Sequence, residues 1–136
     1  MANPLHYRRL WWALGLALVA AVVFLSLVPD PPRAIPGDFS NWGGHLIAYG
    51  TMMGWWARLS ATGRRRLAFG VAFCLMGVGL EFAQGATGYR TFDVMDMVAN
   101  SVGVCLGWLA SPPRAPHVIA TVDRLMHRWL NSGSTR

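Results

Sequence analysis

Four long apolar runs, separated by short polar or proline-rich segments, organise most of the chain. They are Leu10–Val28, Trp42–Leu59, Leu67 to about Gln84, and Phe92–Ala110. At about 1.5 Å per helical residue, the first run is about as long as the hydrocarbon core of a bilayer is thick. The pattern therefore predicts an all-α polytopic membrane bundle with four transmembrane helices in residues 1–110.

The first run has a second interpretation, because Arg8 and Arg9 precede it as the basic segment of a cleaved signal peptide would. However, Leu10–Val28 is longer than the usual apolar segment of about 7–15 residues, and no small-residue cleavage site precedes Pro29. We expect a retained first helix, ended by the prolines that follow, with an extended loop up to Ser40.

Small and polar residues form stripes along the later spans. Residues of the third span step by four and three (Gly70, Cys74, Gly77, Glu81, Gln84), and those of the fourth by three and four (Asp93, Asp96, Asn100, Gly103, Gly107). Lipid offers these groups no hydrogen bonds, so both stripes are expected to face protein, either each other or a common cavity. In the second span, Gly50 and Gly54 form a G-x-x-x-G pair that allows close helix packing.

Residues 111–136 differ from the rest, because His117–Leu130 is amphipathic rather than apolar throughout. Val118, Ile119, Val122, Leu125, Met126, Trp129 and Leu130 share one face, and Thr121, Asp123, Arg124, His127 and Arg128 share the other. We expect this helix to lie on the membrane surface as part of a cytoplasmic tail that frays from Asn131 onward. Packing against a soluble partner is the alternative.

Composition supports a membrane protein and weakens other classes. Of the 136 residues, 54% are apolar and only 13% are charged, against about a quarter charged in soluble domains. All twelve basic residues are Arg, and they flank the apolar runs instead of forming the basic face that nucleic-acid binding requires. Cys74 and Cys105 lie inside apolar runs, where a cysteine is usually a small packing residue.

The arginines also predict the orientation. With a cytoplasmic N-terminus, the inner segments hold ten (Arg8, Arg9, Arg58, Arg64, Arg65, Arg66, Arg114, Arg124, Arg128, Arg136) and the outer segments hold two (Arg33, Arg90). This bias is typical of a bacterial inner-membrane protein with both termini in the cytoplasm.

That topology brings polar residues of three helices to one level, in the outer third of the membrane. His45, Glu81 and Asp96 are the candidate catalytic residues, and Tyr49, Gln84, Arg90, Asp93 and Asn100 are the candidate binding residues. Ionisable groups inside a bilayer are costly, and a His beside carboxylates is suited to moving protons. Arg90, in the outer turn, could bind a phosphate or carboxylate with two parallel hydrogen bonds.

Several of these residues also have structural interpretations. Asp93 could simply cap the fourth helix, Arg90 could pair with Asp93 or Glu81, and Asn100 and Gln84 could be interhelical hydrogen-bonding groups. A metal ion stays open: one imidazole is few for zinc, and the oxygen-rich set would suit magnesium or calcium better. The sequence assigns no cofactor.

Three motifs resemble the VanZ-like family of small bacterial membrane proteins: HLIAY from His45 to Tyr49, EFAQ from Glu81 to Gln84, and RTFDVMDMVANSVG from Arg90 to Gly103. The resemblance covers about residues 41–108. Family members often carry an Asp-Lys pair a turn before the His, where this chain has Asn41 and Trp42. The resemblance implies an association with reduced susceptibility to the lipidated glycopeptide teicoplanin.

The sequence and the resemblance together predict a protein that binds, or acts on, a cell-envelope or lipid-linked molecule, with a glycopeptide among the possible ligands. One alternative is a membrane hydrolase or transferase that uses the His and the acids. A second is a non-catalytic helper subunit whose C-terminal helix recruits a partner. A homodimer through an unused glycine face is also predicted, and ion translocation is disfavoured because no titratable residue lies in the inner half of a span.

Overall fold

A computed structural model describes residues 5–30 and 40–132, except for the side chains of Ser40 and Asn41. Its five helices are α1 (Arg8–Leu27), α2 (Ser40–Leu59), α3 (Gly63–Ala86), α4 (Val94–Leu109) and α5 (Val118–Ser132). The described residues contain no strand, so the all-α prediction is confirmed. Most of the predicted loop before Ser40, and the tail beyond Ser132, lie outside the described residues.

Side-chain caps determine where α3 and α4 begin. Thr62 Oγ1 accepts a hydrogen bond from the backbone N–H of Arg65 at 3.3 Å, which draws the arginine cluster into the first turn of α3. Asp93 Oδ1 accepts from the backbone N–H of Met95 at 2.8 Å. The interpretation of Asp93 as a helix cap is therefore confirmed, and α4 begins at Val94 instead of Phe92.

The first four helices alternate in direction. The start of α1 meets the end of α2, where the Trp12 and Trp56 rings are 5.1 Å apart between centroids. The ends of α1 and α3 lie together, since Gln84 Nε2 donates to the Ser26 carbonyl at 2.9 Å. The starts of α2 and α4 lie together at His45 and Asn100. Thus α1 and α3 run one way, and α2 and α4 run the other.

Bare backbone forms the closest helix pairing, between α2 and α4. A Cβ on Gly103 would lie 2.5 Å from the carbonyl oxygen of Leu46, and one on Gly107 would overlap that of Gly50. The α3 stripe meets α4 as predicted, because Gly70 packs on Trp108 and Gly77 on Asn100. The glycine pairs of α2 and α4 are thus occupied within the subunit.

Polarity is distributed inside out relative to a soluble protein. The large exposed side chains of α1 and α3 are apolar, for example Phe24 at 66% and Leu75 at 67% exposure, whereas Glu81 and Asn100 are buried. Among the described residues, α1 and α3 are long and apolar enough to cross a membrane, and α4 is apolar but only 16 residues long. A large apolar exterior around a polar interior is typical of a membrane protein.

Helix α5 differs from its prediction at two places. It continues through Ser132 instead of fraying from Asn131, and Asp123, assigned to its polar face, is buried. Its carboxylate accepts hydrogen bonds from the backbone N–H groups of His6 and Tyr7 at 2.7 and 3.0 Å and from Trp11 Nε1 at 2.8 Å. Helical spacing does not predict this burial, because the hydrogen-bond partners of Asp123 lie 112 to 117 residues away in sequence. His127, which is also assigned to the polar face, stacks on His6 with 3.8 Å between the ring centroids.

Candidate functional site

His45 lies between two side chains of α4. Its Nδ1 is 3.0 Å from Asn100 Oδ1, and its Nε2 is 3.3 Å from Asp96 Oδ2. The side chains of His45 and Asp96 are only 15% and 11% exposed. The glycine contact between the parallel helices α2 and α4 brings these residues, all near helix starts, into reach of one another.

The amide of Asn100 determines which imidazole nitrogen carries a proton. An amide oxygen only accepts, so in this orientation Nδ1 of His45 must donate. Nε2 then either accepts from a protonated Asp96 or donates to its carboxylate, and a single proton separates the two states. The His45–Asp96 pair can therefore hold a transferable proton.

Gly77 makes room for this arrangement from α3. A Cβ there would lie 3.0 Å from Asn100 Nδ2 and 3.3 Å from Tyr49 Cε1. The sequence places Gly77 in the small-residue stripe of the third span but does not show that Asn100 packs against it. Only the register of α3 against α4 shows that role.

Glu81 links α3 to the start of α4. Its Oε1 accepts a hydrogen bond from the backbone N–H of Asp93 at 2.6 Å, and the residue is 1% exposed. The carboxylate thereby contacts the turn that also contains Arg90. The charges of Asp96 and His45 both act on Glu81, so the three candidate catalytic residues are electrostatically linked.

Three buried side-chain oxygens around His45 have no hydrogen-bond partner among the described residues. They are Glu81 Oε2, Asp96 Oδ1 and the Tyr49 hydroxyl. Leaving a buried polar atom unpaired costs about 1–3 kcal/mol. Most buried polar groups in proteins are paired, so such exceptions require an explanation. Two acceptors and one hydroxyl at one level of the bundle are suited to hydrogen-bonding a guest molecule.

Arg90 lies half-buried in the turn between α3 and α4. Within the described part of the chain its guanidinium makes no hydrogen bond or ion pair, although its charge acts on Asp96. The predicted pairing with Asp93 or Glu81 is therefore not formed there. Its backbone N–H binds Thr87 Oγ1 at 3.2 Å, which fixes the turn and leaves the side chain available.

Gln84 is directed elsewhere. Its bond to the Ser26 carbonyl joins α3 to α1, which confirms that it acts as an interhelical hydrogen-bonding residue. The structure thus brings His45, Asp96 and Asn100 into direct contact, with Glu81 and Tyr49 beside them. Asp93 and Arg90 lie in the turn between α3 and α4, and Gln84 is turned toward α1. Among the described residues, no group of three His, Cys, Asp or Glu side chains could hold a metal ion.

A family model described as VanZ/LLP1 matches residues 11–113, about three-quarters of the chain. The chain belongs to the VanZ/LLP1 family. A search of curated proteins and a search of solved structures each found no match. The family match confirms the resemblance and extends it to include α1. It spans α1 to α4 and ends before α5.

Proposed function

We propose that this VanZ-like membrane protein crosses the inner membrane four times. The alternating directions of the helices support the proposal: if α1 and α3 span in the same direction, α2 must return across the membrane between them. Helix α4 runs beside α2 and in parallel with it. Polar residues lower the mean hydropathy of α2, and α4 is apolar but short at 16 residues. Neighbouring helices cover the polar groups of both, as bilayer insertion requires.

The arginine distribution supports an orientation with both termini in the cytoplasm. The shared end of α1 and α3 then faces outward, together with the starts of α2 and α4. The site around His45 lies at that end. Cysteine labelling from outside intact cells tests the topology: Gly88→Cys in the outer turn should react, whereas Ala61→Cys beside the arginine cluster should not.

We further propose that the site binds, or acts on, an anionic cell-envelope or lipid-linked molecule at the outer leaflet. The observation that carries the proposal is the group of buried, unpaired oxygens around the His45–Asp96 pair. Glu81 and Asp96 would accept hydrogen bonds from hydroxyl or amine groups of the ligand. Arg90, free of partners in the described structure, would bind its phosphate or carboxylate.

The His45–Asp96 pair would also give the site acid–base capacity. With Asn100 fixing the proton on Nδ1, Nε2 exchanges its proton with Asp96 or with a bound hydroxyl. This capacity supports the hydrolase or transferase alternative, in which His45 and Glu81 handle protons during turnover. Binding without turnover needs only the hydrogen bonds and Arg90.

Native mass spectrometry of the protein purified from its own membrane tests the site. We expect an anionic molecule to remain bound to the wild type and to be lost in His45→Gln and Arg90→Gln. Arg65→Gln, which removes an exposed arginine at the other end of the bundle, is the matched control. Equal retention by all four proteins would contradict the proposal, and activity that depends only on residues 117–130 would favour the helper-subunit alternative.

A further inference from the structure

A groove of about 560 Å³ runs along the α2–α4 seam and is separate from the site around His45. Ile47, Thr51 and Arg58 of α2 line it, with Leu106 of α4 and Val118 and Ile119 of α5. Ile47 is two residues, or about 200° of helical rotation, from His45, so the groove lies on the other side of α2. Its floor includes bare backbone, because Gly50, Gly54 and Gly107 have no side chains.

The two ends of the groove differ in charge. Its lining is apolar along most of its length, from Leu46 to Arg58, about 18 Å of helix. Arg58 is the one charged residue among the described residues that line it, and it lies at the end shared with the first turn of α5. The start of a helix carries partial positive charge, so this end of the groove is electropositive for two reasons.

Arg58 is held in position by backbone acceptors. Its two terminal nitrogens donate to the carbonyl oxygens of Gly54 and Ala110, each at 2.8 Å. No carboxylate lies within ion-pair distance of it in the described structure. Because a guanidinium has five N–H donors, these two bonds leave others for an anion.

We propose that this groove binds an anionic phospholipid of the cytoplasmic leaflet. One acyl chain would lie along the seam, and the phosphate would contact Arg58 beside the start of α5. The inference rests on the four-span topology proposed above, which places the groove in the bilayer and Arg58 at the cytoplasmic interface. An anionic lipid is favoured over a zwitterionic one because the groove end is positive and the glycerol headgroup of phosphatidylglycerol adds no cation.

The test measures lipid retention by native mass spectrometry, using the full chain released from nanodiscs of equal phosphatidylglycerol and phosphatidylcholine. We expect the wild type to retain phosphatidylglycerol preferentially. Arg58→Gln should lower that preference roughly fivefold, the factor expected for one arginine at an anionic membrane surface. Arg64→Gln, which removes an exposed arginine at the same end, should leave it unchanged.

A second variant tests the groove without altering Arg58. Thr51→Phe should fill the groove and reduce the retention of phosphatidylglycerol, whereas Val71→Phe on the exposed face of α3 should not. Equal preference in Arg58→Gln and Arg64→Gln, or full retention by Thr51→Phe, would overturn the proposal. If Arg58→Gln proves unstable, the Thr51→Phe comparison decides.

The polar site and the groove can fail separately. Asp96→Asn should keep the phosphatidylglycerol preference, because Asp96 lies on the other side of the seam. Loss of the outer-leaflet ligand with the preference retained would leave the groove proposal intact. Loss of the preference in Thr51→Phe alone would leave the site around His45 unaffected. A cytoplasmic location of Gly88→Cys in the labelling experiment would overturn the shared topology and both assignments.

Discussion

Asp96 and Asp123 are both buried, at opposite ends of the bundle, and their surroundings differ. Asp123 receives three hydrogen bonds, from two backbone N–H groups and an indole, so both oxygens are paired. Among the described residues, the Asp96 carboxylate pairs only with His45, through Oδ2, and its Oδ1 has no hydrogen-bond partner. A fully paired buried carboxylate stabilises the fold, whereas an incompletely paired one costs stability and is retained for another purpose.

The arginines at the two ends of the bundle also differ in whether their side chains are hydrogen-bonded. At the end of the bundle that contains the start of α1, Arg58 binds two carbonyl oxygens and Arg66 binds those of Pro112 and Ser60. At the opposite end, around His45, the Arg90 side chain forms no hydrogen bond or ion pair in the described structure. That first end is thus a structural assembly of all five helices, and the end around His45 carries the groups available for a ligand.

The largest effect on stability is expected from Asp123→Ala. The change removes three hydrogen bonds and leaves three donors without their acceptor, which should lower the free energy of unfolding by about 2–4 kcal/mol. Tryptophan fluorescence during thermal unfolding in detergent measures the change. Asp30→Ala, at an exposed position, is the control, and an equal loss in both variants would contradict the assigned role.

Gly107→Ala should produce the next largest effect, because its methyl group would overlap the carbonyl oxygen of Gly50 and force α4 away from α2. We expect a loss of about 1–3 kcal/mol, as for other overpacked interiors. Gly79→Ala is the matched control on the exposed side of α3, where nothing lies within 4 Å, and it should stabilise α3 slightly. The same unfolding measurement compares them, and similar midpoints would show that the seam is not tightly packed.

A smaller effect is expected from acid. Burial raises the pKa of the Asp123 carboxyl, but the hydrogen bonds from Tyr7, Trp11 and His6 outweigh it, and the pKa falls below its ordinary value near 3.8. The stabilisation is therefore complete above that value and is lost as the pH falls through the lowered folded-state pKa. Unfolding midpoints of the wild type and Asp123→Asn should accordingly converge as the pH falls below about 4. A constant difference down to pH 2 would argue against this titration.

Asp96→Asn should have the smallest effect on stability, within about 1 kcal/mol of the wild type. The Asn amide nitrogen can donate to the unprotonated Nε2 of His45, and the change removes a buried charge whose second oxygen has no partner. Retention of the outer-leaflet ligand should nevertheless fall, since the site loses its transferable proton. A destabilisation as large as that of Asp123→Ala would erase the distinction between the two ends.

The sequence predicts more of the end around His45 than of the end around Asp123. Helical spacing placed His45, Asp96 and Asn100 on inward faces, and short connections brought them to one level, which the contacts confirm. Asp123 and Arg58 could not be assigned in the same way. Their roles depend on where the start of α1 and the end of α4 lie in space, and no local periodicity encodes contacts between such distant segments. Gln84 shows the same limit, because its spacing fits the stripe while its amide turns to Ser26.

The backbone contact between α2 and α4 has a mechanical consequence. Two helices that touch through glycines can separate only by losing this backbone contact, and the contact holds His45 in register with Asp96 and Asn100. Glu81 belongs to α3, whose Gly70 and Gly77 pack against side chains of α2 and α4 instead of their backbone. Entry of the proposed ligand would therefore proceed by displacement of α3. The hydrogen bond from the Asp93 backbone N–H to Glu81 would have to break during that displacement.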